Sequence, residues 1–204
     1  MRRRLVCLVA LAVHTASALV APGSTLIVGG GFAGLYTALN LAKSGRPVTL
    51  VDSREKFAFL PLLYEYAVGL ADEDEVSTSF EDVCGSSGVT FVRGDVASLD
   101  LSTRVASLSD GRQLSGEALI VALGKEPILD GAPGVLEHAL PFYRLEHAAR
   151  LRSALEVMDG GDGKTIVVVG GGYTGVELAC HLRARRPKDV VTLLDRGDRL
   201  GRAT

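Results

Sequence analysis

One arrangement occurs twice in this 204-residue chain and constrains its fold more than any other feature. From Thr25 the apolar run Leu26-Ile27-Val28 leads into Gly29-Gly30-Gly31-Phe32-Ala33-Gly34. A helix pattern follows through Leu35, Ala38, Leu39 and Ala42, with Gly45 as its C-cap. Pro47 to Val51 then reads as a second strand, and Asp52 stands at its end. Strand, glycine turn, helix, strand and acid within one short segment predict a dinucleotide-binding unit. Gly29 permits the tight turn, Gly31 lets the backbone approach a pyrophosphate, and Gly34 lets helix and strand pack closely. The helix start presents free N–H groups to phosphate, and Asp52 can accept hydrogen bonds from a ribose diol.

The pattern returns at Lys164 to Val169, followed by Gly170-Gly171-Gly172-Tyr173-Thr174-Gly175. Val176, Leu178, Ala179 and Leu182 mark the helix, and Val190 to Leu194 the next strand, ending at Asp195. Gly175 as the third glycine, with Asp195, leans towards NADH, because a carboxylate repels a 2′-phosphate. Arg196 beside it is a candidate receiver for that phosphate, so NADPH stays open. Glu177, near the helix start, has two readings. It is a carboxylate settled by the helix dipole, or a catalytic-site carboxylate near the nicotinamide.

Between the units, Thr90-Phe91-Val92, Val96 to Leu99 and Val105 to Leu108 read as short strands, with a hairpin turn at Asp110-Gly111. Ala118 to Ala122 reads as a strand ending at Leu123-Gly124, and Gly124-Lys125-Glu126-Pro127 as an exit into a second domain. Phe142 to Met158 has the spacing of an amphipathic helix, and Asp72-Glu73-Asp74-Glu75 reads as a solvated loop. The last unit as written holds two parallel strands and one helix, too little to cover both faces of a sheet. The expectation is a fragment, a truncated gene product or a chain that needs a partner.

Composition excludes several classes. A net charge of −2 offers no basic field for nucleic acid, and 5% aromatics without Trp offer no base-stacking surface. Cys7, Cys84 and Cys180 are too scattered for a disulfide framework or zinc site, and His14, His138, His147 and His181 show no ligand spacing. No metal is expected. At the N-terminus, Arg2-Arg3-Arg4, the apolar Leu5 to Val13 and the small Ala16-Ser17-Ala18 have the order of a secretory signal. The stretch Ala16 to Pro22 also resembles the junction of bipartite plastid-targeting sequences, with Leu19 where Phe is usual. A plastid of secondary origin is the expected destination, and the secretory pathway the alternative.

From about Ser24 to Arg199 the chain resembles the type II NAD(P)H dehydrogenases, FAD enzymes that reduce quinones at a membrane surface. The residues that carry this are Gly29 to Ala38, Phe59-Leu60-Pro61-Leu62-Leu63-Tyr64-Glu65, Ala139-Leu140-Pro141-Phe142-Tyr143 and Gly172 to Ala179. The likeness is to the plastid and cyanobacterial branch, which reduces phylloquinone-type and plastoquinone-type acceptors. It implies an α/β, Rossmann-like fold with two dinucleotide sites. Residues 1–23 would be a targeting segment, 24–130 an FAD-binding domain with a β-meander, and 131–204 the start of an NAD(P)H-binding domain. Gly29, Gly30, Gly31, Phe32, Ala33, Gly34, Asp52 and Ser53 would hold the FAD pyrophosphate and ribose. Val96 would lie by the adenine, Leu123 and Gly124 by the linker on the flavin side, and Pro61, Leu62 and Leu63 by the isoalloxazine. Gly170, Gly172, Gly175 and Asp195 would hold NADH or NADPH. Lys125 and Glu126 depart from the family's usual linker.

The implied activity passes hydride from NAD(P)H to FAD and electrons to a quinone, with the membrane reached through a C-terminal region not in this sequence. The alternatives are a flavin reductase serving a soluble electron carrier and a non-catalytic FAD-binding remnant. A homodimer is left open. Disulfide reductases of similar layout carry a Cys pair after the first ribose acid; Phe57 to Tyr66 has none, so thiol–disulfide chemistry is not expected.

Overall fold

A computed structural model describes residues 23–127, 133–158 and 163–201. The targeting segment expected at the N-terminus therefore lies, up to residue 22, outside the described residues.

The first unit begins with β1 (Thr25–Val28), α1 (Phe32–Lys43) and β2 (Val48–Asp52). Gly45 closes α1 as expected: its N–H donates to the Ala42 carbonyl at 2.9 Å, and its φ is +77°. There follow β3 (Lys56–Ala58), a single 3₁₀ turn at Leu60–Leu62, α2 (Leu63–Ala67), α3 (Glu73–Val76), β4 (Ser77–Ser79) and α4 (Phe80–Gly85). Then come β5 (Thr90–Arg93), β6 (Val96–Asp100), β7 (Val105–Leu108), β8 (Gln113–Ser115) and β9 (Ala118–Val121). The second half holds α5 (Val135–His138), α6 (Leu145–Met158), β10 (Thr165–Val169), α7 (Tyr173–Arg185) and β11 (Val190–Leu194).

The main sheet is parallel, in the order β5-β2-β1-β9. Parallel sheets need cover on both faces, and alternation along β1 supplies two apolar faces. Ile27 and Leu50 turn towards α1 and α4, where they pack with Leu35, Ala38 and Phe80. Leu26, Val28 and Val51 turn the other way, onto Ala106 and Leu108 of the antiparallel sheet β6-β7-β8. Helices thus cover one face and the β-meander the other. The second unit repeats β1-α1-β2 as β10-α7-β11, with β10 and β11 parallel.

Several local expectations change. Asp72 to Glu75 is no loop: the Asp72 and Glu75 side chains form a capping box that starts α3. The charged residues are exposed as expected, but their spacing is that of a helix N-terminus. The amphipathic helix starts at Leu145 instead of Phe142, because the Arg144 carbonyl accepts from His147 and Ala148 and so acts as the cap. Thr90 to Arg93 pairs with β2 in the parallel sheet and forms its edge, outside the meander. The meander takes Gln113–Ser115 as its third strand.

Candidate functional site

The ends of β1, β2 and β9 and the start of α1 surround a cleft of about 760 Å³, within the size range of small-molecule sites. Gly29, Gly31, Phe32 and Ala33 form its floor, Asp52, Ser53 and Arg54 one wall, Val96 an end, and Leu123 and Gly124 the opposite side. The sequence-predicted residues of the first unit thus largely converge. Gly30 and Gly34 serve the same loop from behind, and the reason is steric. Gly29 has φ +101°, and a Cβ there would stand 2.4 Å from the Ala122 carbonyl oxygen. A Cβ on Gly34 would stand 1.8 Å from the Gly29 oxygen, whereas one on Gly31 would meet nothing within 4 Å. Gly34 is therefore spent on packing, and Gly31 faces open space.

The α1 start fits a pyrophosphate. Gly31 is its N-cap and no side chain caps it, so the N–H groups of its first turn are free to receive phosphate oxygens. Beside it the buried Asp52 carboxylate is held by four hydrogen bonds. Its Oδ2 accepts from Gly30 N at 2.6 Å and Arg54 Nη2 at 2.8 Å; its Oδ1 accepts from Arg54 N at 2.8 Å and Arg54 Nε at 2.9 Å. Burial alone would push its pKa up, but the Arg54 side chain, the Arg54 and Gly30 N–H groups and the guanidinium charge together hold it below the usual range. Arg54 was not foreseen from the sequence; a basic residue two positions after the acid was the available signal. Tyr143, Arg144 and Glu146, which close the cleft from the α6 side, also went unforeseen. Arg144 pairs with Glu126 and lies 3.6 Å from Glu146, so the unusual linker is anchored to the start of α6.

The segment expected beside the isoalloxazine runs through the 3₁₀ turn into α2. Leu60 reaches the cleft, but Pro61, Leu62 and Leu63 are not among its lining residues. Leu63 is buried against α6, in a cluster with Tyr66, Ala67 and Ala148.

The second unit copies the first. Gly170 has φ +110°, and a Cβ on Gly175 would stand 1.8 Å from the Gly170 oxygen. Gly172 caps α7 without a side-chain bond. Asp195 Oδ2 accepts from Gly171 N at 2.6 Å and its Oδ1 from Gly197 N at 2.7 Å. One difference stands out: Gly29 abuts Ala122, beyond β9, whereas a Cβ on Gly170 would meet nothing within 4 Å. Correspondingly, Val167, Val169, Val190 and Leu194 are exposed along one face of β10 and β11.

Glu177 is exposed on α7, beyond its first turn, where the dipole's influence has faded. It faces Tyr64 of α2, whose phenol is pushed up by burial and then by the charges of Glu177 and Glu65. Tyr64 also packs on His181, one helical turn from Glu177, with ring centroids 4.8 Å apart.

Two glycine turns, each with a carboxylate bonded to its second glycine, define a chain with two nucleotide-binding units in sequence. The family described as "Pyridine nucleotide-disulphide oxidoreductase" matches residues 23–204, and the chain belongs to it. It is 34% identical over 184 residues to the demethylphylloquinone reductase NdbB of Synechocystis sp., covering 84% of this chain and 46% of that protein. It is 38% identical over 183 residues to the alternative NAD(P)H-ubiquinone oxidoreductase C1, chloroplastic/mitochondrial, of Arabidopsis thaliana, covering 78% and 35%. Among solved structures, the covalent putidaredoxin reductase–putidaredoxin complex is similar, with a TM-score of 0.73 and 28% identity over 88% of this chain and 44% of that one. The chain spans less than half the length of these relatives. Over that part it is type II NAD(P)H dehydrogenase-like. Cys84 is buried, Cys180 is exposed, and both are free thiols. Among the described residues no group of side chains suits a metal ion, and no helix is long and apolar enough to cross a membrane.

Proposed function

We propose that this chain is the nucleotide-binding front part of an FAD-dependent oxidoreductase that takes hydride from NAD(P)H and delivers electrons to a quinone. Residues 24–130 would carry the FAD site, and residues 131–204 would begin the nicotinamide site. The observation that carries the reading is the doubled contact, Gly30 N to Asp52 and Gly171 N to Asp195, both 2.6 Å. One such unit serves one dinucleotide, and two in tandem suit a pair that exchange electrons. The quinone is inferred from the named activities of the relatives above.

FAD supplies the two-electron chemistry, and the protein supplies orientation and electrostatics. Gly31, Phe32 and Ala33 would receive the pyrophosphate, and Asp52 the adenosine ribose. All four acceptor positions of Asp52 are taken in this structure, two of them by the Arg54 guanidinium. Arg54 is 42% exposed, so a ribose diol can exchange with its guanidinium, which turns out to water. Val96, Leu123 and Gly124 would flank the adenine and the linker. Pro61 and Leu62 of the 3₁₀ turn, with Leu63 behind them against α6, would approach the isoalloxazine from the α2 side. Membrane association through a further C-terminal region, a homodimer and plastid import of the precursor complete the proposal. The full-length protein purified with FAD should oxidise NADH in the presence of a naphthoquinone or plastoquinone analogue. Turnover with an iron–sulfur carrier and none with quinone would favour the soluble-acceptor reading, which the putidaredoxin reductase likeness supports.

In the second site, Gly170, Gly172 and Gly175 would seat the pyrophosphate of the nicotinamide cofactor. Two backbone N–H groups aim Asp195 as an acceptor, which suits a ribose diol and repels a 2′-phosphate. NADH is therefore the expected donor. Asp195→Asn should narrow the NADH-over-NADPH preference in kcat/KM by about tenfold or more, a loss of about 1.4 kcal/mol of discrimination. An unchanged ratio would place the discrimination elsewhere.

Glu177 is the proposed catalytic-site carboxylate at the junction of the two units. Glu177→Gln in the full-length protein should slow flavin reduction by NADH at least tenfold without loss of FAD. An unaltered rate would remove Glu177 from the site.

A further inference from the structure

Arg185 of α7 and Arg152 of α6 reach the segment that follows α2, and Arg186 ties α7 to α6. Arg185, in the last turn of α7, donates from Nε to the Val68 carbonyl at 3.4 Å, across 117 positions of sequence. Arg152 of α6 donates from Nη1 to the Ala71 carbonyl at 3.1 Å, and its guanidinium lies over the Tyr66 ring, 5.2 Å from the centroid. Arg186 links the two later helices: its Nη1 donates to the Leu155 carbonyl of α6 at 3.3 Å, and its Nε pairs with Asp189. Asp189 in turn accepts from the Lys164 N–H at 2.9 Å, at the entry to β10.

These contacts rim an apolar cluster in which Val68 and Leu155 pack with Leu178 and Leu182 of α7. Ala67, Val68, Gly69, Leu155 and Glu156 line, with the three arginines, a cavity of about 210 Å³ between α2, α6 and α7. The Val68 carbonyl, just past α2, and the Leu155 carbonyl, in the last turn of α6, lack intrahelical partners and carry partial negative charge, so guanidinium donors suit them. An α2 of five residues has no helical stability of its own. Its placement depends on what holds it: α6 along one side, the Val68 cluster and the Tyr64–His181 contact towards α7, and the arginine contacts at its end. The same α2 segment carries Pro61, Leu62, Leu63 and Tyr64, and α7 carries Glu177 and the second glycine turn.

We propose that Arg152, Arg185 and Arg186 are positioning residues that set the separation between the two nucleotide sites. The inference rests on the hydride-transfer reading above. Transfer between two bound cofactors is steep in distance, and a misplacement of about 1 Å can cost on the order of 100-fold. None of the three arginines lines the first cleft. Loosening them should therefore spare cofactor binding and slow transfer.

The test uses the full-length protein with FAD, as wild type, Arg152→Gln, Arg185→Gln and the conservative Arg152→Lys. Anaerobic stopped-flow reduction by NADH gives the limiting rate and the apparent Kd for NADH. We expect each Gln variant to keep its FAD content and NADH Kd within about twofold, while the limiting rate falls about tenfold or more. Arg152→Lys should recover part of the rate. A parallel reading needs no turnover. Spin labels on the exposed Cys180 of α7 and on a cysteine replacing Ser86 after α4, with Cys7 replaced by serine, report the separation of the units. That distance distribution should be narrow in wild type and broader in both Gln variants. Unchanged distance widths overturn the clamp, whether or not the protein oxidises NADH. A broadened distribution with an unchanged limiting rate overturns the role of the arginines in setting the transfer distance. Broadening in a wild-type background that fails to reduce flavin would instead sink the hydride-transfer reading and leave the mechanical clamp standing. If the Gln variants lose FAD, Arg185→Lys, which keeps the charge, carries both measurements.

Discussion

Gly34→Ala is expected to abolish FAD binding and to destabilise the first unit by about 3 kcal/mol or more. The new methyl would lie 1.8 Å from the Gly29 carbonyl oxygen. That oxygen belongs to backbone pinned from the other side, since Gly29 N donates to the Val51 carbonyl at 2.9 Å. No rotamer can relieve the clash, so α1 must move away from β1. The shift withdraws the first-turn N–H groups from the phosphate position. Gly175→Ala makes the matching change in the second unit, at 1.8 Å from the Gly170 oxygen. There the expected loss is of NADH binding with FAD retained, because the two turns are separate structures. Flavin absorbance of the purified protein and NADH titration of the holoprotein read the two effects. FAD retained in Gly34→Ala at wild-type affinity would contradict the proposed site.

Both glycine units could be read from the chain because their constraints are local. A backbone–backbone approach at Gly34 or Gly175 excludes every side chain, so it leaves an unmistakable residue in the sequence. The acids at Asp52 and Asp195 are also local, since they fall at the ends of apolar β-branched runs. What stayed hidden depends on contacts between distant segments. Arg54 became part of the site through two side-chain bonds to Asp52, and an arginine after a strand has many other uses. Arg144, Glu126 and Glu146 meet at the cleft only because α6 folds back across it. Leu63, expected beside the isoalloxazine, is also buried against Ala148 of α6, a contact with a segment far along the chain. The acidic run before Val76 reads as a loop because charge density suggests solvent and says little about conformation. The Asp72-to-Glu75 spacing carried the capping signal all along.

Asp52→Ala should weaken FAD binding by about 10- to 100-fold and flatten the acid limb of the stability profile. The binding loss follows from removing the acceptor for the ribose diol, worth about 1.5–3 kcal/mol when the acceptor is charged. The stability change has a different origin. Gly30 N–H is buried and bonds to Asp52, so without the carboxylate it loses its partner, at about 1–3 kcal/mol. Arg54 contributes less, because its half-exposed guanidinium can turn to water. The pH dependence follows from the sign of the Asp52 shift. Its pKa in the folded protein lies below the ordinary value, so the folded state favours the ionised form. That contribution is complete above the unfolded-state value, near pH 4, and disappears as the pH falls through the lower folded value. Urea midpoints of wild type should therefore drop below about pH 4.5 more steeply than those of Asp52→Ala. Asp52→Asn separates the causes: an amide oxygen can still accept from Gly30, but it has no charge to titrate. It should regain part of the stability near pH 7 while keeping the flattened acid limb. Parallel acid limbs in wild type and Asp52→Asn would mean that Asp52 is not held ionised by the turn, and the ribose-acceptor role would lose its electrostatic basis.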